Sequence, residues 1–88
     1  MMELEGRPAL KPGCRLSPSG ETLLVPEGAL RLQGPARRIL QACDGRPTVQ
    51  EIVSTLLTEF PSAEPAKVSE ETSTFIARLV EKGFVEFV

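Results

Sequence analysis

Gly34-Pro35 divides this 88-residue chain into two regimes. Before it, apolar and polar residues alternate over short stretches broken by Pro and Gly; after it, apolar residues recur at helical spacing. Cys14-Arg15-Leu16 alternates, Ser17-Pro18-Ser19-Gly20 has turn chemistry, and Thr22-Leu23-Leu24-Val25 is apolar and partly β-branched, which predicts a hairpin. Pro26-Glu27-Gly28 then turns the chain into a third strand over Ala29-Leu30-Arg31-Leu32-Gln33. Met1 to Pro12 has no periodicity, so residues 1–12 are expected to be a flexible, loosely attached arm and residues 13–88 a single domain.

Pro35 suits the first turn of a helix, where its missing N–H costs nothing, with Gly34 at the cap. Ala36, Ile39, Leu40 and Cys43 form the apolar stripe of this first helix, Arg37, Arg38 and Gln41 lie outside it, and Asp44-Gly45 stops it. Thr48-Val49-Gln50-Glu51 is a capping box opening helix two, whose stripe runs Val49, Ile52, Val53, Leu56, Leu57 and Phe60 up to Pro61. Helix three carries Val68, Thr72, Phe75, Ile76, Leu79 and Val80 inward, and Glu70, Glu71, Arg78, Glu81 and Lys82 toward water. Lys82-Gly83 closes it, and Phe84 to Val88 is a short apolar tail, either a strand or a segment packed on the core. The order predicts an α+β, winged-helix-like domain: a three-stranded antiparallel sheet followed by three helices.

A chain of this size supports one modest core and buries no active site deeply. It has no histidine, which removes the usual general base and the Ser-His and Cys-His pairings. Cys14 and Cys43 fit no metal-ligand spacing and read as small core side chains. No phosphate loop, dinucleotide fingerprint or acidic metal cluster occurs, so neither catalysis nor a cofactor is expected. The longest apolar runs are a few residues and the first residues are acidic, which predicts a cytoplasmic protein without a membrane segment.

Charge is unevenly divided. Arg7 to Arg46 holds seven basic and three acidic residues, and Pro47 to Val88 three basic and seven acidic. A winged-helix domain suggests a DNA-binding regulator, but helix three balances Lys67, Arg78 and Lys82 against Glu70, Glu71 and Glu81, too little charge for phosphate neutralisation. Peptide binding fits the composition better. A short third strand without proline, at the edge of a sheet, offers unpaired N–H and C=O groups to an added strand, and such edges are usually protected unless pairing is the purpose.

Leu24-Val25-Pro26-Glu27-Gly28, Leu32 leading into Ala36-x-x-Ile39-Leu40, then Cys43-Asp44-Gly45 and Thr48-Val49-x-x-Ile52-Val53 resemble the PqqD family of pyrroloquinoline quinone biosynthesis. Arg7-Pro8-x-Leu10 and Gly83-Phe84-Val85 extend the likeness over nearly the whole chain. Gln33-Gly34 departs from relatives, which often place asparagine after the leucine, and leaves Gly34 to fill the cap position.

The resemblance implies a non-catalytic peptide chaperone, which binds a ribosomally made precursor peptide and presents it to a radical S-adenosylmethionine enzyme. In such relatives the leader lies antiparallel to the third strand and against the third helix. Carried over, the peptide-binding residues are Ala29, Leu30, Arg31, Leu32 and Gln33 on the strand and Glu71, Phe75, Arg78 and Lys82 on the helix. Leu30 and Leu32 share a strand face and are expected in the core, their backbone remaining free to pair. Arg37 and Arg38 are the candidate surface for docking the enzyme. The open strand edge would also permit a strand-exchanged homodimer.

Overall fold

A computed structural model describes residues 5–32 and 34–88. The elements run β1 (Pro8–Leu10), β2 (Arg15–Leu16), β3 (Thr22–Val25), β4 (Gly28–Arg31), α1 (Pro35–Gln41), α2 (Val49–Glu59), α3 (Pro65–Glu81) and β5 (Val85–Phe87). The architecture is α+β, with antiparallel strands followed by three helices, as the two-regime sequence predicts. Among the described residues no helix is long and apolar enough to cross a membrane.

Strands β2, β3 and β4 form an antiparallel sheet in that order, leaving β4 at an edge. Pro26-Glu27 is a two-residue hairpin loop, because Val25 pairs with Gly28. That register corrects the expected third strand. It starts one residue earlier than Ala29 and ends at Arg31, since β3 supplies partners only back to Thr22. Leu32 leaves the strand but still donates its N–H to the Glu21 carbonyl at 2.8 Å. The other expected member, Gln33, lies outside the described residues.

The arm expected over residues 1–12 is also corrected. Pro8–Leu10 pairs antiparallel with β5, Lys11 N–H donates to the Phe84 carbonyl, and Leu10 N–H donates to the Cys43 carbonyl. The apolar tail is therefore a strand, and it recruits a segment whose proline and short length hide any sequence period. Residues 1–4 of that arm lie outside the described residues.

One core joins these parts. Leu23 from the sheet, Ile39, Leu40 and Cys43 from α1 and its exit, Val49, Ile52 and Leu56 from α2, Ile76 and Leu79 from α3, and Val85 from β5 are all buried. The α1 cap is Gly34, with φ of 57° and no side-chain hydrogen bond, followed by Pro35. The capping box of α2 is complete: Glu51 N–H donates to Thr48 Oγ1 at 3.1 Å, and Thr48 N–H donates to Glu51 Oε1 at 2.8 Å. Phe60, expected on the core stripe, is the C-cap of α2 and 46% exposed, because the backbone leaves helical geometry there.

Burial, reinforced by the neighbouring Asp44 charge, pushes the Cys43 thiol up to about 12, and its Sγ donates to the Ile39 carbonyl. Cys43 therefore packs as an inert apolar group. In the folded protein at pH 8, Cys14 should react with a thiol reagent while Cys43 should not, and denaturation should expose the second thiol to the same assay.

Removing the cap by Thr48→Ala should lower stability by about 1 kcal/mol, read as a drop in urea midpoint at constant slope. Hydrogen bonds from Thr48 hold the Glu51 carboxyl below its ordinary range, and Arg38 does the same to Glu59. Both groups bind protons more weakly when folded, so their contribution is complete above the ordinary carboxylate pKa and disappears as pH falls through the lower folded value. The urea midpoint should fall as pH drops below about 4, and Glu51→Gln with Glu59→Gln should reduce that fall.

Candidate functional site: an open strand edge beside an apolar cleft

The hydrogen-bond phase of the β3–β4 ladder identifies which groups of β4 are free. Leu32 donates to Glu21, and hydrogen-bonded pairs alternate with non-bonded pairs along an antiparallel ladder. Leu23–Leu30 and Val25–Gly28 are thus the bonded pairs, and Ala29 and Arg31 direct their N–H and C=O groups away from β3. A further strand would meet those groups. All four residues of β4 are exposed.

Side-chain alternation sets the two faces of the sheet. Leu30 lies opposite the buried Leu23 and so shares its face, whereas Arg31 lies opposite Thr22 on the other face. Leu30 is nonetheless 39% exposed, contrary to its expected core position, because among the described residues no strand lies beyond β4 to cover it. Leu32 is half-buried and packs against the core as expected.

Immediately past the strand, Gly34, Pro35 and Ala36 form one wall of a cleft of about 850 Å³. Its floor is Ile39, Leu56 and Thr72, its far wall is Val68, Glu71 and Phe75 of α3, and Phe60, Ala63, Glu64 and Lys67 complete the rim. Ser69 shares a separate groove with Val53 and Leu57 of α2, so α2 covers one flank of α3 while Glu71 and Phe75 lie on the other.

Two tie points fix the direction of α3 relative to β4. The C-terminal end of β4 runs into Gly34-Pro35, which faces the N-terminal half of α3 across the cleft. The other end of β4 follows the Pro26 turn, and Gly13 stands against the Pro26 ring, where an added Cβ would be 3.3 Å from Cγ. Gly13 follows Lys11, which is bonded to Phe84 just past the end of α3. Helix α3 therefore runs antiparallel to β4.

Of the expected peptide-binding residues, the fold brings Glu71 and Phe75 into the cleft and presents Ala29, Leu30 and Arg31 on the adjoining edge. Arg78 and Lys82 lie outside the cleft, farther along the same stripe of α3. The basic pair of α1 has partners of its own. Arg37 donates to the Ser19 carbonyl at 3.2 Å, and Arg38 donates to Glu59 at 2.8 Å and to Gln41 at 2.6 Å. Sequence reasoning missed Pro35, Phe60, Lys67 and Val68 as cleft residues. Phe60 gave the one signal available, an aromatic side chain directly before a proline that ends its helix.

Among the described residues no group of His, Cys, Asp and Glu is arranged to hold a metal ion. What the site offers is backbone pairing, an apolar recess and charged side chains on a helix flank, the means by which a folded protein holds an extended peptide.

A relative from Stutzerimonas stutzeri (strain A1501) called PqqA binding protein is 36% identical over 64 residues, covering 73% of this chain and 67% of the relative. A protein of the same name from Kluyvera intermedia is 30% identical over 83 residues, covering 90% of this chain and 88% of its own length. Another, from Rhodopseudomonas palustris (strain BisB5), is 33% identical over 63 residues, covering 72% of this chain and 61% of the relative. No solved structure matches the chain. The family model described as Coenzyme PQQ synthesis protein D (PqqD) matches residues 21–85, from the start of β3 to the start of β5, and the chain belongs to that family.

Proposed function

We propose that this protein is a non-catalytic peptide chaperone of pyrroloquinoline quinone biosynthesis, which binds the ribosomally made precursor peptide as an added strand on β4. The open edge at Ala29 and Arg31, beside the cleft, carries this reading. The relatives named for binding PqqA support the choice of ligand.

Chemically, the protein exchanges a peptide ensemble for one extended conformer. Backbone pairing at Ala29 and Arg31 orders the peptide irrespective of its side chains, and the cleft takes an apolar side chain near Phe75. Ordering a flexible peptide costs entropy that offsets much of the contact energy, so a micromolar constant, about 8 kcal/mol, suits a carrier that must also release.

The recipient is a radical S-adenosylmethionine enzyme of the same pathway, and the exposed side of α1 bearing Arg37 and Arg38 is the surface offered to it. Arg38 docks there with its charge already shared with Glu59. The open edge also allows two copies to pair as a strand-exchanged homodimer when no peptide competes.

The backbone geometry gives a specific test. Arg31→Pro removes an N–H that points away from β3, so the native ladder loses no bond and an edge strand tolerates the ring. The variant should keep its circular dichroism and lose roughly tenfold in affinity for the precursor peptide. Leu30→Pro, which breaks the bond to Leu23, should lower stability instead. Unchanged affinity in a folded Arg31→Pro variant would overturn strand addition.

A further inference from the structure

The charges along the open flank of α3 have a direction. The stripe Lys67, Glu71, Phe75, Arg78 and Lys82 recurs at helical spacing, with Glu64 beside its start. Glu64, Lys67 and Glu71 surround the cleft end with a net negative charge, whereas Arg78 and Lys82 make the far end positive. Glu70 and Glu81 stand about 80–100° round the helix from the centre of this stripe, on the side away from the core, and Glu81, at i+3 from Arg78, leaves the far end with a net positive charge from Arg78 and Lys82. Arg31 does not enter the account either, since it stands on the opposite sheet face from Leu23.

Arg78 and Lys82 are exposed like charges at i and i+4, whose weak mutual repulsion is offset by their favourable place at the C-terminal end of the helix dipole. Among the described residues neither has an ion-pair partner. With Glu81 as their neighbour, Arg78 and Lys82 still give this end of α3 a net positive charge beside the path of an added strand.

A strand that continues the all-antiparallel β2–β3–β4 sheet runs opposite to β4 and hence in the same direction as α3. Its residues over the cleft come first, and those beside Arg78 and Lys82 come later. From Glu71 to Lys82 the helix rises about 16 Å, a distance that about five residues of extended chain span.

Resting on the strand-addition reading, we propose that this protein selects peptides of fixed charge polarity. Such a peptide carries an apolar side chain for the cleft, with neutral or basic residues around it, followed about five residues later by acidic residues that pair with Arg78 and Lys82.

Two synthetic peptides of identical composition test the proposal on the full chain. Each has a central β-branched segment; one carries two lysines at its N-terminal end and two glutamates at its C-terminal end, and the other has these blocks exchanged. Affinity is measured by fluorescence anisotropy at low and moderate salt, with amide shifts recorded in parallel. The peptide with its glutamates last should bind about fivefold or more tightly, with the preference shrinking as salt rises. Arg78→Glu with Lys82→Glu, both at exposed positions, should reverse the preference. Equal affinities, or a preference indifferent to the double substitution, would overturn the polarity while leaving strand addition standing if β4 amides shift for both peptides. No shift in β4 from either peptide would remove the strand-addition reading and the polarity with it.

Discussion

The three-stranded sheet is fastened to the helices through Leu23. Of the ten residues in β2, β3 and β4, it alone is buried, and it has no exposed surface at all. Leu16, Val25 and Leu32 pack partly against the same core, so the sheet rests on the helices along a single line of apolar contacts. Truncating a buried leucine to alanine costs about 2–5 kcal/mol, a large share of the roughly 5–15 kcal/mol that holds a domain together. Everything outward of Leu23 has little behind it. That is why β4 is exposed along its whole length, and why its free edge stands clear of the core.

A second fastening explains the basic pair of α1. Arg37 reaches the carbonyl of Ser19 in the β2–β3 loop, and Gly20, buried with φ of 77°, lies beneath Arg37 and Gln41. An added Cβ there would stand 2.9 Å from Gln41 Nε2 on a backbone that disfavours it. Arg38 reaches the other way, to Glu59 at the end of α2. The two arginines thus tie α1 to the sheet on one side and to α2 on the other. That placement sets Gly34-Pro35, at the start of α1, between the strand edge and the cleft. The cluster that looks in sequence like a docking patch is also part of the frame.

The helices and the order of elements were legible in the sequence because their signals are local. The capping box, the Gly34-Pro35 start and the stripes of α2 and α3 depend on neighbours within a turn or two. The strand pairing of Pro8–Leu10 was not legible, since its partner lies at the other end of the chain and three residues cannot establish a period. The bounds of β4 followed from hairpin register, which a Pro-Glu-Gly turn leaves open by one residue. The edge itself could be foreseen from topology. The cleft could not, because Pro35, Phe60 and Val68 meet only once three helices have packed. Leu30 was misplaced for a related reason: alternation tells which face a residue takes, but not whether anything covers that face.

The proposed site would separate two tasks that one surface usually combines. On the proposed strand addition, pairing at Ala29 and Arg31 would use main-chain groups, which every peptide without proline at those points can satisfy, so the edge would contribute affinity with little discrimination. Discrimination would then fall to side chains beside the proposed path, and these belong to α3 and to the start of α1. The exposed stripe of α3 borders the buried Thr72, Ile76 and Leu79 without sharing their positions, so its charges can change while the core stays the same. Under the proposed reading, the strand would serve as a general acceptor within one fold while substitutions along a single helix flank would choose the peptide.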